Sequence, residues 1–224
     1  MATIQQPSIQ QSAVAEAAGD SIVLRGISWE LYEQLRDIPD NWGKRMTYDE
    51  GDLEIMSPSS KHEDFARLLG RMLDAFTEEL SIPIRGLRST TWKAADRKRG
   101  LEADECYFVK NEARVRHLEE FDLARDPPPD VVIEVEMSRS AIRKLPLYAA
   151  LGVPEVWRCS KGKVAFLHLS EDGQYVESQK SLNVPILESS ALNRFLAERA
   201  TLDETAWIRT FRVWVRETFS KARP

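Results

Sequence analysis

The chain has 224 residues, 42% of them hydrophobic and 30% charged, with a formal net charge of −5. That is ordinary for a folded chain with a sizeable core, and no apolar run approaches the roughly 20 residues that span a bilayer. The acidic balance argues against a dedicated high-affinity nucleic-acid binder. It leaves room for an enzyme acting on nucleic acid, because catalytic carboxylates add negative charge and the basic residues here are clustered.

Cys106 and Cys159 are the two cysteines, there is no CxxC, and His occurs three times. This argues against a disulfide framework and a structural zinc site, and suits a reducing cytoplasm. The N-terminal MATIQQPSIQQSAVAEAAGD lacks a charged n-region and an apolar h-region, so it is read as a disordered tail over 1–20 rather than a signal peptide. Residues 21–224 read as a single domain, with 188–224 a helical C-terminal extension.

Ile27 to Ile38 reads as a first helix, with Ser28 as N-cap and Pro39 as stop. Lys44 to Tyr48 and Asp52 to Met56 flank Asp49-Glu50-Gly51, a hairpin signal. The longest helix is expected from about Lys61 to Leu80, where Phe65, Leu68, Leu69, Met72, Leu73, Phe76 and Leu80 recur at helical spacing. His62 starts that inward stripe. It is either a helix-start residue bonded to backbone or a group reaching a cleft; Glu63 beside it suits a first turn.

Arg85 to Ala94 holds one strand or two, centred on Thr90, Thr91 and Trp92. The basic stretch of Arg85, Arg88, Lys93, Arg97, Lys98 and Arg99 is either a solvated loop or a phosphate contact. Cys106 to Val109 is a strand entered through Gly100 to Glu105. Asn111 to Asp126 reads as a loop with a helical turn.

Pro127-Pro128-Pro129 breaks any helix before the central stretch. Asp130 to Met137 is a short β-branched run, read as a strand with Val131, Ile133, Val135 and Met137 on one face and Asp130, Val132, Glu134 and Glu136 on the other. Glu134 and Glu136 are costly to bury unless a cation meets them. Lys144 is the nearby candidate, just inside a short helix that follows caps at Ser138 and Ser140 and closes at Gly152. Val153 to Arg158 is the next strand, so the unit is a crossover in a mixed α/β sheet carrying helices.

Asp130 is a poor partner for Glu134, since four strand residues span about 13 Å and magnesium–oxygen bonds are about 2.1 Å. The partner acid must come from a neighbouring strand at the same height, and Asp104 is the best placed. Farther on, Val164 to Leu169 and Gln174 to Ser178 form a hairpin around Glu171-Asp172-Gly173, and His168 is a strand side chain with no chemical role. From Ser189 the pattern is helical. Its aromatics Phe195, Trp207, Phe211, Trp214 and Phe219 form a layer on the sheet or a dimer face.

LEIMSPSSKHE, Asp104 before a strand, PDVVIEV, SRS, KLPLY and LGVPEVW, in this order, resemble the Uma2 family of restriction endonucleases in the PD-(D/E)XK nuclease superfamily, over roughly Ile27 to Leu187. The resemblance implies a restriction-endonuclease-like core, a mixed sheet flanked by helices. It also implies Mg2+-dependent cleavage of DNA, with Mn2+ a possible substitute; a homodimer is the expected assembly. On this sequence Asp104 matches the first acidic motif residue and Glu134 the second, with the Val135 carbonyl a further ligand. Lys144 matches a lysine displaced from the place where Glu136 stands, and His62 matches a position where the family often has histidine. Ala103 replaces the motif proline. Glu136 would hold Lys144 or accept a proton; alternatively, the two form a structural salt bridge. Two rival readings are a non-catalytic binding module on a degenerate nuclease fold, suggested by Glu136 and the acidic charge, and a structural homodimer using the C-terminal aromatics.

Overall fold

The computed structural model describes residues 16–18, 21–137 and 142–219. The expected caps Ser138 and Ser140 lie outside the described residues, as does most of the expected tail. Within that tail, β1 (Glu16–Ala18) is a short strand paired with β2 (Ser21–Leu24), so those three residues are sheet rather than tail.

Next comes α1 (Trp29–Asp37), where the Ser28 side chain accepts from the Leu31 amide and Pro39 opens a separate single turn. The hairpin β3 (Arg45–Asp49) and β4 (Asp52–Met56) turns through Glu50 and Gly51, both at positive φ. Then α2 (Ser60–Leu80) starts at Ser59, whose hydroxyl accepts from the His62 amide. The chain next shuttles between two sheets. β5 (Arg85–Gly86) belongs to the second, β6 (Thr91–Ala94) and β7 (Arg99–Glu102) to the first, and β8 (Glu105–Phe108) to the second again. The helical turn α3 (Glu112–Val115) leads to β9 (Val131–Glu136), α4 (Lys144–Leu151), β10 (Glu155–Ser160), β11 (Lys163–Leu169) and β12 (Tyr175–Ser178). Two helices follow, α5 (Ser189–Glu198) and α6 (Glu204–Phe219).

The first sheet is antiparallel throughout, in the order β1-β2-β4-β3-β7-β6. The second runs β12-β11-β10-β9-β8-β5 and is mixed: β9 and β10 are parallel, joined through α4, and its other pairs are antiparallel. The expectation of one mixed sheet is met by the second. The first joins three local pairs, β1–β2, β3–β4 and β6–β7, through the longer-range pairings β2–β4 and β3–β7, and Arg99–Glu102, read as a lead-in, is one of its strands.

The second sheet buries both faces. Val131, Ile133 and Val135 pack with Phe65, Leu69, Met72 and Phe76 of α2, which α5 and α6 cover in turn. Cys106, Phe108, Val132 and Val156 point the other way, with Leu147, Tyr148 and Leu151 of α4 and Trp92 and Leu101 of the first sheet. A third cluster seats α1 on the first sheet, where the Tyr32 and Tyr48 rings stack at 4.9 Å. Gly100 is required there, because a Cβ would stand 2.5 Å from the Tyr32 hydroxyl.

The aromatics offered as a dimer face are spent within the chain. Trp207, Phe211 and Phe195 are buried, and Trp214 and Phe219 pack ring to ring with Phe195, Phe211 and Phe76. Among the described residues no helix is long and apolar enough to cross a membrane.

Candidate active site

β8 and β9 pair antiparallel, with Glu105 opposite Ile133 and Cys106 opposite Val132. Extending that register by one residue puts Asp104 opposite Glu134, on the α4 face of the sheet. Cross-strand neighbours lie roughly 5 Å apart, so two acids thirty residues apart become adjacent. Asp104 reaches this place because the chain crosses from the first sheet to the second at Ala103-Asp104, between β7 and β8. Both acids are buried, at 3% and 4% exposure.

Each is held differently. Asp104 Oδ2 accepts from the Val135 amide at 2.8 Å. His62 Nε2 lies 3.1 Å from the same oxygen, close enough to pair charges but without hydrogen-bond alignment. Asp104 Oδ1 is buried with no hydrogen bond; Arg45 Nε stands 3.9 Å away. Glu134 Oε2 accepts from Lys144 Nζ at 2.8 Å, and the Tyr148 hydroxyl donates to Glu134 Oε1. Lys144 and Tyr148 are four apart on α4 and so lie on one helix face. The Pro146 between them falls in the first turn, where a proline is tolerated.

Burial and charge pull the site's protons in opposite directions. Burial would raise Asp104, but His62, Lys144 and the Val135 amide outweigh it and hold the carboxyl below the usual range. Burial pushes Glu134 up to about 7, helped by the Asp104 charge and opposed by Lys144 and Tyr148. For Lys144, burial is outweighed by Glu134 and Asp104, which raise it, so the amine stays charged. His62 is likewise raised against its burial by Asp104. Burial, with Glu134 beside it, raises the Tyr148 phenol. Two adjacent acids with pKa values pushed apart are the arrangement that separates proton-accepting from charge-holding roles.

Glu134 lines a cleft of about 1240 Å³ between the sheets, together with His62, Glu136, Lys144, Arg45 and Arg158, and Asp104 is buried beside it. Arg45 on β3 is committed to Glu63, Glu102 and Asp104. Glu54 on β4 accepts from the Ile142 amide at 3.2 Å, which ties the first sheet to the approach of α4.

Four of the expected residues come together as read: His62, Asp104, Glu134 and Lys144. One correction applies, to the expected Glu136–Lys144 contact. Glu136 is exposed, and among the described residues it makes no ion pair with Lys144, which is bound to Glu134 instead. The cause is the β pleat at a strand end: Glu136 shares the face of Glu134 but lies beyond the α4 contact. Val135, expected to offer its carbonyl, also meets the site through its amide, which is bonded to Asp104. Asp130 holds a loop, as expected, accepting from the amides of Val109 and Asn111 at 2.8 Å and from Asn111 Nδ2 at 2.6 Å. The basic stretch is largely engaged elsewhere. Arg85 binds the Val115 and Leu118 carbonyls, Lys93 binds Glu33, and Arg99 binds Asp49 and Glu50.

Tyr148, Arg45, Glu54 and Arg158 escaped the sequence reading. The i,i+4 spacing from Lys144 could have found Tyr148. The others face the site only through sheet register and sheet-to-sheet packing, which leave no local signal.

Among the described residues no group of three or more His, Cys, Asp or Glu side chains is placed to hold a metal ion. The oxygens of Asp104 and Glu134 are nevertheless a hard donor set, and Asp104 Oδ1 is buried without a partner. Magnesium commonly takes one or two carboxylates and keeps its remaining positions for water, so these residues fit such an ion.

Comparison with known proteins bears on the whole arrangement. The chain is similar to a crystal structure described as "a putative nuclease belonging to DUF820" from Anabaena variabilis, with 16% identity and a TM-score of 0.51. The match covers 76% of this chain and 99% of that one, and at such identity it speaks for the fold alone. No curated protein matches the chain. The family model Uma2, described as "Putative restriction endonuclease", matches residues 29–198, which carry all of the acids and cations described above. By that match over most of its length, the chain belongs to the Uma2 family.

Proposed function

We propose that the chain is a metal-dependent DNA endonuclease that hydrolyses phosphodiester bonds at the Asp104–Glu134–Lys144 site. The observation that carries this reading is the buried pair of acids on adjacent strands, with a charged amine against one of them, at a cleft that Glu134 and Lys144 line. Family membership and the fold likeness support it. Asp104, Glu134 and the Val135 carbonyl would hold Mg2+, with Mn2+ as substitute. When bound, such an ion supplies Lewis-acid polarisation of a phosphoryl oxygen and lowers the pKa of water.

The chain's own groups do the positioning. The Val135 amide and His62 fix the Asp104 carboxylate. Tyr148 fixes that of Glu134. Lys144 carries a positive charge to the place where negative charge grows on the phosphate, and a preorganised charge in a dry site is worth more than one in water. Cys106 and Cys159 are free and buried, which suits a reducing cytoplasm. The homodimer belongs to the same proposal, and a sedimentation mass of twice one chain tests it.

The test is nicking of supercoiled DNA with Mg2+ or Mn2+. Glu134→Gln and Lys144→Ala each lose at least about a hundredfold in rate while the far-UV spectrum is unchanged. Full activity in either variant overturns the assignment. A second reading, a binding module without turnover, draws on the engagement of both Glu134 oxygens by Lys144 and Tyr148. Binding with no nicking under either metal would select it.

A further inference from the structure

Resting on the nuclease reading, we propose that Arg158 is a phosphate-gripping residue that holds the nucleic-acid backbone beside the scissile bond. Arg158 is the register partner of Glu134 on the neighbouring parallel strand, so its side chain leaves the same sheet face one strand away. Neighbouring strands are about 4.8 Å apart. A row therefore crosses the sheet at one height, Asp104, Glu134, Arg158, two acids followed by a cation.

What separates Arg158 from the other cations of the cleft is commitment. Arg45 is held by three acids, Arg99 by Asp49 and Glu50, and Lys144 by Glu134. Arg158 lines the cleft half-buried and makes no ion pair among the described residues; Glu136, diagonal to it on the same face, does not engage it. A guanidinium that faces a cleft without an acid among the described residues is available to an anion, and its planar fork suits a phosphate's two free oxygens. Arg143, exposed at the start of α4, lines the same cleft and is also unpaired among the described residues. The backbone of the substrate then runs from the acid pair toward β10 and the rim at Arg143.

Anisotropy of labelled duplex and single-stranded oligonucleotides, with the full chain in chelator and across a range of salt, tests this. Arg158→Gln weakens binding about tenfold and flattens the log affinity–log salt slope by about 0.9 for duplex or about 0.7 for single strand, the signature of one lost phosphate contact. Arg158→Lys restores the slope and part of the affinity. Arg143→Gln acts in the same direction but less, being exposed. If Arg158→Gln binds as wild type does, or weakens with an unchanged slope, the phosphate role falls while the nuclease reading stands. If wild-type protein binds neither substrate, both fall. Thermal melting of each variant separates a folding defect from either result.

Discussion

Two pairs of buried carboxylates lie at opposite ends of β9, and the fold treats them in opposite ways. At the start of the strand, Asp130 is saturated by amides, and Glu155 accepts from Trp157 Nε1, Ser181 Oγ and both nitrogens of Asn183. Asn183 Nδ2 also donates to the Asp130 carbonyl, so a single side chain ties the two together. Every one of these donors is neutral. At the other end, Asp104 and Glu134 meet cations, and one Asp104 oxygen is buried without a hydrogen bond. An acid closed by neutral donors fixes loops, because ionised acceptors make strong hydrogen bonds that stay put. An acid balanced by cations keeps charge that a ligand can use.

The sharpest way to break this comparison is to remove one acid from each end. Glu155→Ala strands four donors in the interior and costs about 3–5 kcal/mol in urea denaturation. Glu134→Gln, which keeps a side chain for Tyr148 to donate to, costs about 1 kcal/mol. A reversed order would make the Glu134 end the structural one.

Glu105 sharpens the contrast from the opposite face of the same strand pair. Burial pushes it up to about 7, and Arg88 offsets this only in part. The folded chain therefore holds a proton that the unfolded chain releases near 4.5. This contribution to stability is full below that pH and is lost as pH rises toward 7. Glu105→Gln removes roughly 2 kcal/mol of that pH-dependent loss, read from denaturation midpoints at acid and neutral pH. An unchanged slope would show that Glu105 is not the group responsible.

Tyr148→Phe deletes the donor to Glu134 and lowers nicking about tenfold, the equivalent of one hydrogen bond. Since that bond helps hold the Glu134 pKa down, its loss moves the acid limb of the pH–rate profile toward higher pH. A profile that stays in place would detach Tyr148 from the chemistry. The smallest effect belongs to Asn111→Ala at the structural end, about 1 kcal/mol of stability, because Asp130 keeps two amide donors. Nicking is unchanged in that variant.

Much of this was legible in the chain. The stripe from Phe65 to Leu80 announced α2, the triple proline and β-branched run announced β9, and Gly152 closed α4 in the left-handed conformation as its position suggested. Strand alternation placed Glu134 and Val135 on opposite faces, and reach alone excluded Asp130 as the partner acid. The first sheet was harder to see, since β7 is short and pairs with β3 across fifty residues. The C-terminal aromatics looked like surplus only until α2 supplied the surface that covers them.

Local pattern by itself determined most of the helices and the longer strands, and which residues on each share a face, because those depend on periods of two and 3.6 along one backbone. Only the tertiary structure decided that Glu134, not Glu136, takes the amine of Lys144, that Arg45 is spent on acids, and that Arg158, with no ion pair among the described residues, stands beside the site. Those outcomes are set by strand register and by where two sheets meet, and both arise between segments far apart in the chain.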